Sequence, residues 1–286
     1  MNWVETLHKA IDFMESHLPE PLTVDRVAGH VHLSPFHFQR AFSLLTGMTV
    51  GEYIRRRRLT LAAEELCRTD AKVIDIALKY GYDTPEAFAK AFRRQHGITP
   101  SEARNHSGPL VSYNRLVIEL TLKGAEPMKY KIVERDEIKA VGIPRRFSYV
   151  DEAQLEGISR FWAEVNRDGT AWRLSALNTG ELKGLMGVCV DLPQEGQMDY
   201  WIAAETKDLE NVPDGLSILT IPAAKWVVFE VTGAIPRSIQ EGFRRIFSEW
   251  LPSSGFQPAG APILEVYPGG DVTGDDYRCE IWLAVK

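Results

Sequence analysis

A nine-residue pattern occurs twice in the N-terminal part of the chain, fifty residues apart. It reads SPFHFQRAF over residues 34–42 and TPEAFAKAF over residues 84–92. In both copies a Ser or Thr can cap a helix, and the proline that follows stands in the first turn, where a missing N–H costs nothing. The two phenylalanines of each copy are four residues apart and share one helix face, which we assign to the core. A duplication of this length predicts two helix-turn-helix units.

The segments around the repeat predict an all-α domain over residues 1–106. A short helix precedes each copy of the repeat, and a glycine follows each copy as a left-handed cap. A long helix from residue 50 to about residue 67 would join the two units, because Thr49 and Glu52 have the spacing of a capping box. The N-terminal domain is therefore predicted to be a pair of helix-turn-helix units on one rigid connecting helix.

The face of each repeated helix opposite the phenylalanines carries side chains suited to DNA. Gln39 matches the donor and acceptor pair of adenine, and Arg40 matches guanine or a phosphate. His37 could instead pack within its unit. The four arginines over residues 55–58 suit phosphates, which give affinity without sequence information. Glu86 could accept from cytosine, but an unpaired carboxylate near phosphates would weaken binding. We predict DNA contacts for Ser34, Phe36, His37, Gln39, Arg40, Arg55, Arg57, Thr84, Glu86, Ala87, Lys90, Arg94 and Ser101.

These residues resemble the AraC/XylS family of transcription regulators. The resemblance rests on the first copy of the repeat, on GMT and EYIRRRRL after it, and on DIA, YGY, FAKAFRR and GITPSEAR in the second unit. It covers about the first hundred residues. It implies two recognition helices that enter successive major grooves of double-stranded DNA, about 34–36 Å apart. It also implies RNA polymerase as an expected partner.

The rest of the chain has a different composition. Residues 1–106 carry 14 Lys and Arg against 13 Asp and Glu, whereas residues 107–286 carry 19 against 26. All seven histidines lie in the first part, and six of the seven tryptophans lie in the second. This asymmetry indicates two regions with different functions. Helix breakers after residue 104 predict a linker over residues 107–127 and a second domain over residues 128–286.

Hydrophobic patterns in the second domain predict an α+β fold in which the order strand-helix-strand-strand occurs twice. The predicted strands cover residues 130–144, 184–191, 198–205, 216–221, 225–232, 263–267 and 277–285, and the predicted helices cover residues 151–166 and 236–251. An alternating stretch at residues 116–120 predicts a further strand against either domain. The duplication predicts two small sheets with a groove between them and a helix beside each.

This second domain resembles the GyrI-like effector-binding domain. The resemblance rests on KYKIVE from residue 129, VGI from residue 141, the strand over residues 200–205, LEVYP from residue 264 and CEIWL from residue 279. Members of that family bind small molecules that are often cationic and hydrophobic, and they use an acidic residue of the final strand. Glu280 occupies that place here. The predicted fold class is therefore multidomain, with an all-α double helix-turn-helix domain followed by an α+β GyrI-like domain.

Alternation along the last strand predicts a ligand pocket. Glu280 and Trp282 point to the same face of that strand. A carboxylate beside an indole in a groove can pair with a cation and stack on it, and a desolvated cation–π contact reaches about 2 kcal/mol. Each aromatic residue could instead belong to the core, and Glu280 could be an exposed strand residue. The predicted ligand-binding residues are Glu280, Trp282, Tyr267, Trp201, Trp162 and Trp172.

Composition argues against several other classes of protein. Cys67, Cys189 and Cys279 stand far apart without a C-x-x-C pair, so we predict neither a metal site nor a disulfide framework. We also predict no cofactor and no catalytic residues. The N-terminus lacks the pattern of a signal peptide, and no apolar run reaches the roughly 18–20 residues of a membrane span. A cytoplasmic protein without membrane association is expected.

Together these patterns favour a sequence-specific DNA-binding transcription regulator whose C-terminal domain senses a small hydrophobic or cationic effector. Two alternatives stay open. Some stand-alone GyrI-like domains are hydrolases, and Glu280 with Tyr267 could serve such a reaction. The second domain could also bind another protein instead of a small molecule.

Overall fold

The N-terminal part of the chain is helical and contains both predicted helix-turn-helix units. In the computed structural model, the described residues are 3–118, 127–148, 154–192 and 196–286. The N-terminal helices are α1 (Trp3–Ser16), α2 (Val24–His30), α3 (Pro35–Thr46), α4 (Val50–Arg68), α5 (Val73–Lys79), α6 (Pro85–His96) and α7 (Pro100–Arg104). Helices α3 and α6 are the two repeated helices, and α4 joins the two units as predicted.

The repeated helices begin and pack as their sequences indicate. The Ser34 side chain accepts a hydrogen bond from the backbone N–H of His37 at 3.4 Å, and Thr84 accepts one from Ala87 at 3.2 Å. Each helix is thereby capped at its N-terminus. The phenylalanines assigned to the core are at most 1% exposed, and they are Phe38, Phe42, Phe88 and Phe92.

The segment after α7 is an extended connection without a helix or strand from residue 105 to residue 118. Its backbone N–H groups bond to side chains of the helical domain. Val111 donates to Nδ1 of His96 at 3.2 Å, and Tyr113 donates to Oγ1 of Thr60 at 3.0 Å. The strand predicted over residues 116–120 is not formed at residues 116–118, where the backbone N–H of Leu116 donates to the Tyr53 hydroxyl at 3.3 Å instead of to another strand, and residues 119–120 lie outside the described residues.

The C-terminal part contains a single antiparallel sheet. Its strands are β1 (Tyr130–Arg135), β2 (Ile138–Ser148), β3 (Leu185–Asp191), β4 (Gln197–Glu205), β5 (Ser217–Ile221), β6 (Ala224–Thr232), β7 (Leu264–Tyr267) and β8 (Arg278–Val285). The strand order is β1-β6-β8-β7-β3-β4-β2-β5. The predicted division into two small sheets is wrong, because β3 and β7 pair from Leu185 opposite Tyr267 to Val188 opposite Leu264 and join the halves.

The predicted duplication is visible in the sheet and its helices, but each half has two strands before its helices instead of one, because the strand predicted over residues 130–144 is divided into β1 and β2. The first strand of each half pairs with the other half, since β1 pairs with β6 and β5 pairs with β2. The helices are α8 (Gln154–Arg167), α9 (Thr170–Ala176), α10 (Arg237–Arg245), a π-helical turn (Ile246–Trp250) and α11 (Leu251–Ser254). Helix α9 was not predicted, and the second predicted helix is divided by the π-helical turn.

The two faces of the sheet bury separate hydrophobic clusters. On one face, side chains from α8, α9 and α10 pack with Tyr200, Phe229 and Ile281. On the other face, side chains from every strand except β1 are fully buried against one another, among them Trp226 and Trp282. The α+β fold class is thus confirmed, and the helices lie on one face only.

The first helix-turn-helix unit packs against the C-terminal domain. Helix α3 contacts α10, the π-helical turn and β3, and α1 contacts α11. The Trp3 indole donates to the backbone carbonyl of Phe247 at 3.1 Å. The buried cluster of this unit is therefore continuous with that of the helix-covered sheet face, whereas the second unit has a cluster of its own. Among the described helices, none is long and apolar enough to cross a membrane.

Candidate functional site

A cavity of about 470 Å³ lies on the helix-covered face of the sheet, where β3 and β7 join the two halves. Helices α8 and α9 form one wall and α10 forms the other. Three residues of the predicted aromatic set line it, namely Trp162, Trp172 and Tyr267. The Trp162 and Tyr267 rings meet edge to face with centroids 5.2 Å apart. The structure thus brings half of the predicted ligand-binding set together.

The polar centre of the cavity is Glu265, which is only 6% exposed. The Tyr267 hydroxyl donates to its Oε2 at 2.8 Å, and the Tyr200 hydroxyl lies 3.3 Å from the same oxygen. Trp162 donates its indole N–H to the Tyr200 hydroxyl at 2.9 Å. A buried carboxylate needs such donors, because the loss of hydration is costly.

Burial governs protonation around this carboxylate. Desolvation, together with the charge of Glu265, raises the pKa of Tyr200 and of Tyr267 well above the usual range. Both hydroxyls therefore stay protonated and act as donors. Burial also raises the pKa of the Cys189 thiol well above its usual range, so this cysteine is not activated as a nucleophile. The arrangement is suited to holding a positive charge.

The structure does not bring Glu280, Trp282 or Trp201 to this cavity. Glu280 accepts from Lys131 Nζ at 3.0 Å and from the Trp282 indole at 2.8 Å, near the surface. Trp282 is buried against Trp226 on the opposite face, and Trp201 packs there too. The alternation along β8 was interpreted correctly, but that face of the strand turns away from the helices.

The same alternation offered a signal for the residues that were missed. Glu265 stands two positions before Tyr267, so both point to one face of β7. Tyr200 stands one position before Trp201 and therefore points to the opposite face of β4. A pocket that contains Tyr267 should therefore also contain the Glu265 carboxylate, since both side chains leave β7 on the same face.

Two residues of the helical domain, Arg40 and Phe36, also line the cavity. Arg40 of α3 donates from Nη1 to Oε1 of Glu265 at 2.9 Å. Its guanidinium carbon lies 3.4 Å from the ring centroid of Phe243 on α10. Phe36, one helical turn earlier, is 3% exposed and lines the cavity as well.

The other predicted DNA contacts of α3 are engaged too. The Ser34 hydroxyl donates to Oδ2 of Asp191, and the Phe36 backbone N–H donates to Oδ1 of Asp191 at 3.1 Å. His37 Nε2 accepts from the Ile263 backbone N–H at 3.3 Å, and burial lowers the pKa of His37 to about 3. In this conformation these side chains are covered by the second domain and are not accessible to DNA.

Gln39 is engaged within its own unit. Its Oε1 accepts the backbone N–H of Val50 at 3.2 Å, and its amide nitrogen lies 3.4 Å from the Ser43 hydroxyl. The side chain is 1% exposed. The prediction that it reads adenine is corrected for this conformation, since it caps the start of α4.

The arginine run of α4 is largely used inside the molecule. Arg57 binds both carboxylate oxygens of Glu15 at 2.9 and 2.8 Å and donates to the Tyr113 carbonyl at 2.6 Å. Its side chain is 11% exposed, so the predicted phosphate contact is corrected to a tie between α1, α4 and the connection. Arg58 donates to the carbonyls of Leu18 and Glu20. Arg55 is exposed, as a phosphate contact requires.

The second unit presents its predicted residues to solvent. The exposed set on and after α6 comprises Thr84, Glu86, Ala87, Lys90, Arg94 and Ser101. Thr84 caps the helix, so the N-terminal turn of α6 carries Glu86 and Ala87 on an open face. The two units thus differ in accessibility although their sequences repeat.

The fold and the cavity define a class of protein, in which a double helix-turn-helix module is joined to an effector-binding sheet domain. A family model described as integron-associated effector binding protein matches residues 131–285, and one described as a helix-turn-helix domain matches residues 27–106. The chain belongs to the AraC-type DNA-binding transcription regulators that carry a GyrI-like effector-binding domain.

Individual relatives agree with this assignment. The right origin-binding protein of Escherichia coli K12 is 27% identical over an aligned length of 285 residues, and the alignment covers 96% of this chain and 96% of that protein. The regulatory protein SoxS of Salmonella typhimurium is 39% identical over 105 residues, or 37% of this chain and 98% of SoxS. These relatives are described as an origin-binding protein and a regulatory protein, which agrees with a regulator and gives no support to the hydrolase alternative.

A solved structure resembles the C-terminal domain. SAV2435 bound to tetraphenylphosphonium is 27% identical, with a TM-score of 0.51, and the match covers 56% of this chain and 94% of that one.

Proposed function

We propose that this regulator responds to a small hydrophobic cation, which binds in the cavity and pairs with Glu265. The observation that carries the proposal is a carboxylate only 6% exposed in a cavity lined by Trp162, Trp172 and Tyr267. A buried carboxylate favours a positively charged partner, and aromatic faces attract cations within about 6 Å. An apolar cavity of several hundred Å³ with a few convergent polar groups is typical of a small-molecule site.

The hydrogen bonds of Glu265 support this ligand class. Its Oε2 receives the hydroxyls of Tyr200 and Tyr267, whereas Oε1 bonds to a guanidinium. Oε1 is therefore the oxygen that a ligand cation would use. The similarity to SAV2435, whose structure holds tetraphenylphosphonium, supports the same class.

Titration with tetraphenylphosphonium tests this proposal, with tryptophan fluorescence as the signal because two tryptophans line the cavity. Glu265→Gln should lose at least about tenfold in affinity, since the amide keeps the shape and removes the charge. Glu280→Gln is the matched control, because this carboxylate lies outside the cavity and pairs with Lys131. If the Glu280 variant loses binding and the Glu265 variant keeps it, the cation binds on the opposite sheet face.

We also propose that the exposed residues of the second unit contact DNA and that RNA polymerase is a partner at the promoter. The open N-terminal turn of α6 and the similarity to the regulatory protein SoxS support these assignments. Full-length protein should select a defined duplex from random sequences. On promoters that contain this site it should change the occupancy of RNA polymerase, measured by footprinting with and without the regulator.

A further inference from the structure

The face of α3 that carries the predicted base contacts lies against the effector-binding domain. Phe36 is 3% exposed and His37 is 8% exposed, and the Arg40 side chain is 17% exposed. The corresponding residues of α6, Glu86, Ala87 and Lys90, face solvent. A helix that reads base edges must have this face free, because base recognition needs direct contact in the groove. The first unit is therefore closed to DNA in this conformation.

Arg40 interacts with the cavity in the way expected of a cationic ligand. Its guanidinium pairs with Oε1 of Glu265 at 2.9 Å and lies on the Phe243 ring at 3.4 Å. The cavity thus supplies a carboxylate to a positive charge from another domain, and Phe243 of α10, which is not among the residues that line the cavity, supplies an aromatic face. Oε2 of the same carboxylate already accepts from Tyr267 and Tyr200.

A second contact, which lies outside the cavity, also holds α3 against the second domain. Asp191, on β3, accepts from the Ser34 hydroxyl and the Phe36 backbone N–H at the N-terminus of α3. A negative side chain at this end of a helix is favourable, because the first N–H groups point toward it. Asp191 does not line the cavity, so removing its side chain leaves Glu265 and the aromatic side chains of the C-terminal domain in place.

We propose that Arg40 is the resident cation of the cavity, and that a ligand cation displaces it from Glu265 and so frees α3 for DNA. This inference rests on the proposed function of the cavity. One carboxylate oxygen and the space in front of it cannot hold two cations, so ligand and Arg40 compete. The residue that closes the first unit is also one suited to guanine or phosphate, and its release restores a DNA contact.

Competition of this kind has a reciprocal consequence. A ligand that binds only the form with α3 released must tighten DNA binding, and DNA must tighten ligand binding by the same factor. The observed affinity for either partner is reduced by the fraction of molecules in the closed form. Weakening the closed form by mutation should therefore strengthen both affinities, provided that the site itself is intact.

Three full-length variants separate the steps. Asp191→Ala weakens the docking of α3 and leaves Glu265 in place, so it should raise the affinity for a selected duplex and for tetraphenylphosphonium by about tenfold. Glu265→Gln should raise DNA affinity without ligand and lose ligand binding. Glu280→Gln should change neither the DNA affinity nor the affinity for tetraphenylphosphonium. In the unsubstituted protein, saturating tetraphenylphosphonium should tighten DNA binding about tenfold.

The outcomes distinguish this inference from the proposed function. If tetraphenylphosphonium binds through Glu265 but neither the ligand nor Asp191→Ala changes DNA affinity, the exchange with Arg40 is wrong and the cavity keeps its proposed function. If tetraphenylphosphonium binds neither to the unsubstituted protein nor to any variant, the proposed function fails. The DNA affinity of Asp191→Ala alone then decides whether docking blocks α3. Circular dichroism on each variant identifies any that fails to fold, and Asp191→Ala provides a test independent of Glu265.

Discussion

Trp172 is 77% exposed although it lines the cavity. A side chain with this exposure contributes little to the stability of the fold, because most of its surface is in contact with water. Its neighbour in the aromatic wall, Trp162, is instead fixed by its hydrogen bond to Tyr200. If the cavity holds a cation as proposed, the largely exposed Trp172 can close over it, whereas Trp162 forms the rigid side of the site.

Trp172→Ala should weaken binding of tetraphenylphosphonium by about 1 kcal/mol, because one cation–π partner is lost. The free energy of unfolding should change by less than about 0.5 kcal/mol, because the side chain is largely in solvent. Calorimetric titration and urea unfolding measure the two quantities. An equal loss in both would mean that Trp172 is structural.

His37 makes the closed form sensitive to pH. Burial lowers its pKa to about 3, whereas an exposed histidine titrates near 6.5. The folded protein therefore binds fewer protons than the unfolded chain between these values. The stability of the neutral, buried form is fully present above pH 6.5 and falls as the pH drops below it, by about 1.4 kcal/mol per pH unit.

Between pH 7.5 and pH 5.0 this single group should lower the free energy of unfolding by about 2 kcal/mol. His37→Gln should reduce the pH dependence by that amount, since Gln can still accept from the Ile263 N–H. Chemical denaturation at several pH values gives the slope. An unchanged slope in His37→Gln would show that His37 titrates normally.

For single residues, the sequence predicted the chemistry of the side chains better than the sheet face to which they point. The sequence grouped Tyr267, Trp162 and Trp172, and the structure brings these three side chains to one cavity with a carboxylate; their role in ligand binding stays a prediction. Which carboxylate lies beside them could not be predicted, because Glu265 and Glu280 both stand on alternating strands. Only the position of the helices decides which sheet face is the ligand face.

Among the elements, α3 and α6 have nearly the same design but different surroundings. Capping residues, prolines and phenylalanines were sufficient to predict both helices, because these signals are local. The pairing of β3 with β7 was not predictable in the same way, since the two strands are far apart in sequence. The same holds for the exchange of β1 and β5 between the halves.

The exposure of α6 predicts a measurable phosphate contact. Lys90→Ala should weaken DNA binding on every sequence and reduce the slope of log affinity against log salt by about one. Fluorescence anisotropy at several salt concentrations gives this slope. Lys79→Ala is a matched control in the same unit, because Lys79 pairs with Glu65 at 2.7 Å. A loss on one base sequence alone would make Lys90 a base contact instead.

Gly187 of β3 leaves room for the side chains of Tyr200 and Glu265 at the proposed ligand site. A Cβ added there would collide with the Tyr200 hydroxyl and come within 3.2 Å of Oε2 of Glu265. Gly187→Ala should therefore destabilise the protein by about 1–3 kcal/mol and weaken tetraphenylphosphonium binding, because both side chains must move. Urea unfolding and calorimetric titration measure these effects. Gly29→Ala, where an added Cβ meets nothing within 4 Å, should leave ligand binding unchanged.

For the whole molecule, the docking of the two domains could not be predicted from the sequence. Phe36, His37 and Arg40 have the chemistry of a DNA-reading face, but an aromatic ring, an imidazole and a guanidinium also suit a partly buried protein interface. The helical domain alone gives no indication of which surface will cover them. The continuous buried cluster from the first unit into the second domain is a property of the complete chain.

The helical domain can also be tested without the C-terminal domain that covers α3. SoxS matches 105 residues of this chain over 98% of its own length, so this relative has no counterpart of the second domain. A fragment of residues 1–118 should therefore bind a selected duplex more tightly than the full chain, by about the factor gained in Asp191→Ala, because nothing covers α3. Its affinity should not respond to tetraphenylphosphonium. Anisotropy titrations of the fragment, the full chain and Glu265→Gln compare the three directly. A fragment that is folded by circular dichroism and binds no more tightly than the full chain would mean that α3 contributes nothing to DNA affinity even when it is free.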